Sequence, residues 1–403
     1  AKRFRHTLPM TRDSAPMTLW RIFVIFLGLG LTSFGGPIAH LGYFREAFVV
    51  RRRWLSEDAY ADLIALCQFL PGPASSQAGF ALGVSQRGLA GGLSAWAGFT
   101  LPSALALFAF AQAVHIIHQP LFTAALHGLK LVAVAVVAQA LWGMARTLTP
   151  DGKRIALAVI SAAIVLLASN AWAQIAAIIF GAVSGLILCR DTQTVSRGTL
   201  NLAIPRRVAI AALCLFFALL FALPVLALLG SDAALFAAFY RAGALVFGGG
   251  HVVLPLLSAS VVDSGWMTND VFLAGYGAAQ AVPGPLFTIA AYLGALLNGP
   301  AGAALALVAV FLPGLLILIG TLPFWDAFRN KTTAQSAMRG ANAAVVGILA
   351  AALYDPLWTS AILDIGDIAI AAAGFALLVF GKVPSLAVVV LVTLASVGLT
   401  LVS

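Results

Sequence analysis

Gln68-Phe69-Leu70-Pro71-Gly72-Pro73 and Gln280-Ala281-Val282-Pro283-Gly284-Pro285 are one pattern written twice. Proline lacks a backbone donor and suits the first turn of a helix, so each Pro-Gly-Pro ends one helix and begins another. The likeness spreads outward from both copies. Upstream, Phe34-Gly35-Gly36 recurs as Phe247-Gly248-Gly249, and Trp54-Leu55-Ser56-Glu57-Asp58 as Trp266-Met267-Thr268-Asn269-Asp270. Downstream, Leu82-Gly83 recurs as Leu293-Gly294, Leu101-Pro102 as Leu312-Pro313, and Gly128 matches Gly340. The offset stays at 211–213 residues, the mark of an internal duplication.

Of the 403 residues, 62% are hydrophobic and 9% charged, and mean hydropathy is +1.02. Globular chains carry ~25% charged residues, and a soluble surface needs that polar cover. The apolar residues form long unbroken runs, unlike the alternating short strands of a membrane barrel. At ~20 residues per crossing the chain holds roughly a dozen spans and no soluble catalytic domain. The expectation is an all-α polytopic membrane protein and not an enzyme. The net charge of +9 is explained by loop cations on the cytoplasmic side, without nucleic acid as a partner. Cys67, Cys189 and Cys214 are scattered, and no Cys/His cluster calls for a metal or cofactor.

The duplication divides the chain. Residues 1–18 read as a basic cytoplasmic tail and 19–189 as the first membrane repeat. Residues 190–234 read as a basic linker plus a connecting span over 208–229, and 235–403 as the second repeat. With equal even numbers of spans per half, the connector turns the second half over. That gives two inverted-topology repeats, an architecture of secondary transporters. With the N-terminus cytoplasmic, Arg146, Lys153, Arg154, Arg190, Arg197, Arg206, Arg207, Arg329, Lys331 and Lys382 fall inside. His115–Gln119, Ser169, Asn170, Asp355, Asp364 and the C-terminus fall outside, as the positive-inside rule asks. The pieces flanking Phe-Gly-Gly and Pro-Gly-Pro are short for a ~30 Å hydrocarbon core. They read as re-entrant hairpins with those motifs at their tips; pairs of full crossings preserve the same parity.

Irregular backbone at membrane depth is tolerated where it is buried or lines a wet cavity, and fresh helix N-termini suit an anion. Gln68, Ser75, Ser76 and Gln77 around the first tip, with Gln280 and Thr288 around the second, are therefore the candidate oxyanion donors. Arg45 and Glu46 read either as transport residues or as ion-pairing groups at the hairpin base, and Arg45 joins the candidate substrate set. Asp62, with Glu46, is the candidate proton carrier. Arg51, Arg52 and Arg53 read as a cytoplasmic anchor. Ser56 and Thr268 read as N-caps with Asp58 and Asp270 in the first turn. His40 and His251 read as local hydrogen-bonding residues, and Lys130 and Asn342 as packing or snorkelling residues.

These motifs, from Phe34-Gly35-Gly36-Pro37-Ile38-Ala39-His40 through Gln68 to Gln77, resemble the chromate ion transporter (CHR) family in its long two-domain form. The second half adds Phe247-Gly248-Gly249-Gly250-His251 and Gly275-Tyr276-Gly277 through Pro285. The resemblance covers nearly the whole chain. It implies efflux of chromate across a bacterial inner membrane, driven by the proton gradient and giving resistance. A sulfate-like oxyanion, import or exchange, and a passive anion channel are the alternatives. A homodimer is a reasonable assembly, with the lipid bilayer as the surrounding partner.

Overall fold

The computed structural model describes residues 17–116, 120–168, 171–190, 204–247, 249–325 and 331–402. Gly248, Arg197, Arg329, most of the tail and most of the basic linker lie outside them. Helices account for nearly all the described residues, which contain no strand. Five helical stretches are long and apolar enough to cross a bilayer, and shorter apolar helices surround them. The chain is an all-α polytopic membrane protein.

The first half starts with α1 (Leu19–Thr32), whose Thr18 cap accepts the Arg21 N–H at 3.1 Å. Helix α2 (Gly36–Phe44) follows and runs into a π-helical turn, Arg45–Arg51. Helix α3 (Glu57–Phe69) is capped by the Ser56 hydroxyl, 3.2 Å from the Ala59 N–H. After Pro73 the chain continues through α4 (Ala74–Ile116), α5 (Pro120–Leu148), α6 (Gly152–Ala168) and α7 (Ala171–Leu188). The connector is α8 (Arg206–Leu226), which leaves Phe217 and Phe221 exposed as lipid-facing surface does.

The second half repeats the plan. It runs through α9 (Ser231–Ala244), α10 (Val253–Val261), α11 (Asn269–Ala281) and α12 (Ile289–Thr321). It finishes with α13 (Thr332–Ala352), α14 (Ile365–Val379) and α15 (Ser385–Val402). Helices α1, α3, α9 and α11 have 13 or 14 residues, or about 20 Å at 1.5 Å per residue, short of a full crossing. The two longest helical stretches reverse direction at matching places. Arg87 and Gly88 interrupt α4 at φ/ψ of −145/32 and 58/−155, and Asn298 and Gly299 interrupt α12 at −150/42 and 54/−149. Across these turns Gly83 abuts Gly91 and Ala95, and Gly294 abuts Gly302 and Ala306, so each stretch is two helices folded back on each other, with glycine supplying the positive φ at the turn.

The halves interlock reciprocally. Helix α5 packs against α14 and α15, while its counterpart α13 packs against α6 and α7. Gly128 of α5 abuts Thr393 of α15, and Gly340 of α13 abuts Gly181 and Gly185 of α7. At the centre α4 lies along α12. Small residues there let backbones approach where no hydrophobic drive separates helix from lipid.

Candidate functional site

Each Pro-Gly-Pro tip is held by the other half. The Gly72 N–H donates to the Val246 carbonyl at 2.7 Å, and the Gly284 N–H to the Ser33 carbonyl at 3.0 Å. Val246 and Ser33 both immediately precede Phe-Gly-Gly, so the tip of one half meets the helix break of the other twice over. Gly72 (φ 118°) and Gly284 (φ 102°) sit in the left-handed region. A Cβ on Gly72 would lie 2.9 Å from Gly314 Cα, and one on Gly284 2.8 Å from Ser103 Oγ. Gly314 and Ser103 are themselves in register, so this contact is reciprocal as well.

A cavity of about 20 Å³ opens where the first half's helix break meets the second half's tip. Its walls include Gly35, Gly36, His251, Gln280, Gly284 and Ser385, with no Lys or Arg among the residues lining it. Two helix starts converge there: α2 begins at Gly36 with proline in its first turn, and the 3-10 turn Leu286–Thr288 leads into α12. Their first N–H groups lack intrahelical partners, which makes the place electropositive without a cation. The Gln280 Nε2 is buried and makes no hydrogen bond, although the Tyr276 hydroxyl lies close enough to interact with it electrostatically. His251 Nδ1 is 2.8 Å from the Tyr276 hydroxyl. With that hydroxyl donating to Nδ1, Nε2 carries the hydrogen, and Nε2 points toward Gly36, 3.9 Å from where its Cβ would be. Such a cavity holds a water molecule; a four-oxygen anion requires the two tips to part.

Behind the Gly35-Gly36 wall lies a buried polar seam. His40 Nε2 is 3.1 Å from the Ser33 carbonyl, which only accepts, so that nitrogen carries the proton. Its Nδ1 then accepts from the Ser75 hydroxyl at 3.4 Å. The hydroxyls of Ser33, Ser76 and Thr100 are buried without hydrogen-bond partners. Unsatisfied buried groups are uncommon in folded proteins and mark places where water, an ion or a ligand completes the structure.

The candidates of the sequence reading separate in space. Gln280 lines the cavity; Ser75 and Ser76 are buried in the first half's tip region. Gln77 donates its amide to the Pro71 and Gly314 carbonyls, both at 2.9 Å, so it braces the tip and has no donor left for an anion. The Thr288 hydroxyl closes on the Pro285 carbonyl at 2.6 Å. Gln68, in register with Gln280, is exposed. Asp62 is fully buried on α3. Arg45 pairs with Glu57 and Arg51 with Glu46, in both cases with exposed side chains.

Two structural expectations need correction. Thr268 does stand at the N-cap of α11 with Asp270 in its first turn, but its hydroxyl makes no cap bond, and Asp270 also binds Lys130 at 2.9 Å. Lys130 therefore neither snorkels nor merely packs; it is buried and paired across the two halves. Tyr276 was overlooked, yet it stands four residues before Gln280, on the same helix face. Its register partner is Ile64, so a comparison of the copies for differences, not only for matches, points to it. Ser385 carried no sequence signal at all.

The family model described as chromate transporter matches residues 20–187 and again 233–399. A chromate transport protein of Pseudomonas aeruginosa is 29% identical over 345 residues, 84% of this chain and 81% of that one. An uncharacterized transporter of Methanocaldococcus jannaschii is 28% identical over 349 residues, 85% of each chain. A chromate transport protein of Cupriavidus metallidurans is 26% identical over 344 residues, 83% of this chain and 82% of the other. No solved structure matches significantly. A duplicated, helix-broken membrane fold and a family match running through both copies lead to the same place: the chain belongs to the chromate transporter family.

Proposed function

We propose that this protein is a secondary active transporter that exports chromate across the bacterial inner membrane, coupled to proton entry, and so confers chromate resistance. The observation that carries the reading is the cavity at the Phe-Gly-Gly/Pro-Gly-Pro junction. Helix N-termini, Gln280 and His251 converge there, with no cation in the wall. A tetrahedral dianion needs several donors at once, and neutral donors release it more readily than a fixed countercharge does. Names of the relatives from Pseudomonas aeruginosa and Cupriavidus metallidurans support chromate as the cargo.

In this reading the halves are inverted repeats, with re-entrant helices α1/α2 and α9/α10 and both tips near mid-membrane. The reciprocal bonds Gly72–Val246 and Gly284–Ser33 support a two-fold relation between the halves. Loop cations support a cytoplasmic N-terminus and an outer C-terminus. The small cavity is the occluded state, and rocking of one half against the other exposes it to each face in turn.

Everted membrane vesicles test the proposal: they should accumulate chromate and stop when the pH gradient is collapsed. Equilibration without accumulation would make the protein a passive channel, and accumulation only in right-side-out vesicles would make it an importer. Buried Asp62 is the proposed proton carrier. Asp62→Asn should flatten the pH dependence of uptake while leaving the protein folded; an unchanged profile assigns the proton elsewhere.

A further inference from the structure

Lys130 presents a different chemistry at the far end of α11. Its ammonium is buried, with 11% of the side chain exposed, and is held by Asp270 at 2.9 Å and the Ser360 carbonyl at 3.5 Å. Its partner is quite different: the Asp270 side chain is 69% exposed. The pair sits in a vestibule of about 600 Å³ between the halves, lined also by His127, Ala274, Tyr292 and Leu363. A buried ammonium keeps a counter-anion, because isolating it is costly. An exposed carboxylate loses little by swinging into water. The cation is therefore fixed and its anion replaceable.

The surroundings hold the cation in place. One turn before Lys130, His127 Nε2 is 2.8 Å from Asp367 Oδ1, and Asp367 Oδ2 accepts the Leu363 N–H at 2.9 Å. Asp367 is thus committed to the scaffold and leaves Asp270 as the exchangeable anion. Asn269 reaches the Ser360 hydroxyl and the Pro356 carbonyl, which fastens the start of α11 beside the vestibule. Ten residues along the same helix, about 15 Å away, Gln280 enters the tip cavity. The other copy has no such cation: Asn342 stands in register with Lys130, and Asp58, in register with Asp270, is exposed.

From this geometry we infer that the Lys130 vestibule is a second oxyanion position on the transport route, where the passing dianion replaces the Asp270 carboxylate on the ammonium. Asp270 then acts as a tethered competitor. By returning to Lys130 it displaces the oxyanion and keeps affinity low at that face. With the orientation proposed above, this is the outer face, where an exporter must release cargo. The inference rests on the transport reading, and the assay separates the two.

Full-length protein in oriented proteoliposomes should be assayed for chromate flux with increasing chromate on the vestibule face. If wild type carries no oxyanion, the transport reading itself fails. Given wild-type flux, Asp270→Asn should lower the inhibitory trans concentration at least 5-fold, and Lys130→Gln should raise it at least 10-fold. Lys130→Arg should stay near wild type. A thermal-shift series guards against variants that merely fold poorly: sodium sulfate should stabilise Asp270→Asn more than the Asp270→Asn/Lys130→Gln double variant. Trans inhibition unchanged in both single variants overturns the inference. So does a Lys130→Asp/Asp270→Lys exchange with wild-type behaviour, because only a static ion pair survives reversal.

Discussion

The first Pro-Gly-Pro tip is braced by side chains: Gln77 ties Pro71 to Gly314 of the other half, and Ser75 ties α4 to His40. Among the described residues no side-chain hydrogen bond ties the second tip to the other half; Thr288 bonds to the carbonyl of its own turn, while Gln280 leaves its amide open beside the cavity. The walls differ as well. Ser33, Ser75, Thr100 and Ser103 of the first half stand in register with Val246, Phe287, Phe311 and Gly314. Where one copy has a hydroxyl seam, the other has an aromatic pair, Phe287 and Phe311, with ring centroids 5.7 Å apart. The backbone exchange between halves is nearly identical, so the two copies share the joint and differ in the side chains around it. Cargo held at such a junction meets unlike surfaces from the two halves, which fits directional release better than two equal sites would.

The glycines should break both tips equally. Gly284→Ala and Gly72→Ala each force a left-handed φ on alanine, about 1–2 kcal/mol, and drive a Cβ into packed neighbours, about 1–3 kcal/mol more. Both should lower folded yield and melting temperature sharply, as read by size-exclusion and thermal denaturation in detergent. A large effect at one tip only would mean that the reciprocal packing is not shared.

The glutamines should separate the copies. Gln280→Ala removes a donor worth about 1.5–3 kcal/mol to a bound anion, or about 10- to 100-fold in affinity. Gln68→Ala, at an exposed position, should change chromate uptake less than about 2-fold. Equal losses would return both glutamines to the site. Next in size, Gln77→Ala strips two buried carbonyls of their donor and should cost about 1–3 kcal/mol of stability. Its signature is a lower melting temperature with the KM for chromate unchanged.

Much of this layout was legible in the chain. Pro-Gly-Pro and Phe-Gly-Gly announce helix breaks through backbone chemistry alone, and the 211–213 offset pairs them before any coordinates exist. Long apolar runs supply the spans. The site was legible only in part, because a motif places a residue on a helix and says nothing of what crosses to meet it. Gln68 and Gln280 are the same letter in the same register, yet one is exposed and the other lines a cavity. Gln77 looked like a donor, and its amide is spent on a carbonyl 237 residues away. Lys130 and Asp270 lie 140 residues apart, and neither belongs to a local pattern that names the other. Such pairings are tertiary facts, decided by how α5 and α11 cross.

The smallest expected effect is the most telling about the hydroxyl seam. Thr100 presents a buried hydroxyl with no partner, in register with Phe311. Thr100→Val keeps the shape and removes the unsatisfied group, so the substrate-free protein should gain up to about 1 kcal/mol and melt slightly higher. If the seam helps strip water from the anion, the same change should weaken chromate binding several-fold, seen as a smaller chromate-dependent thermal shift. Stability and affinity then move in opposite directions, as they do where a site keeps polar groups waiting for a ligand. A higher melting temperature with undiminished chromate shift would show that the seam never meets the cargo. Binding would then be confined to Gln280, His251 and the converging helix ends.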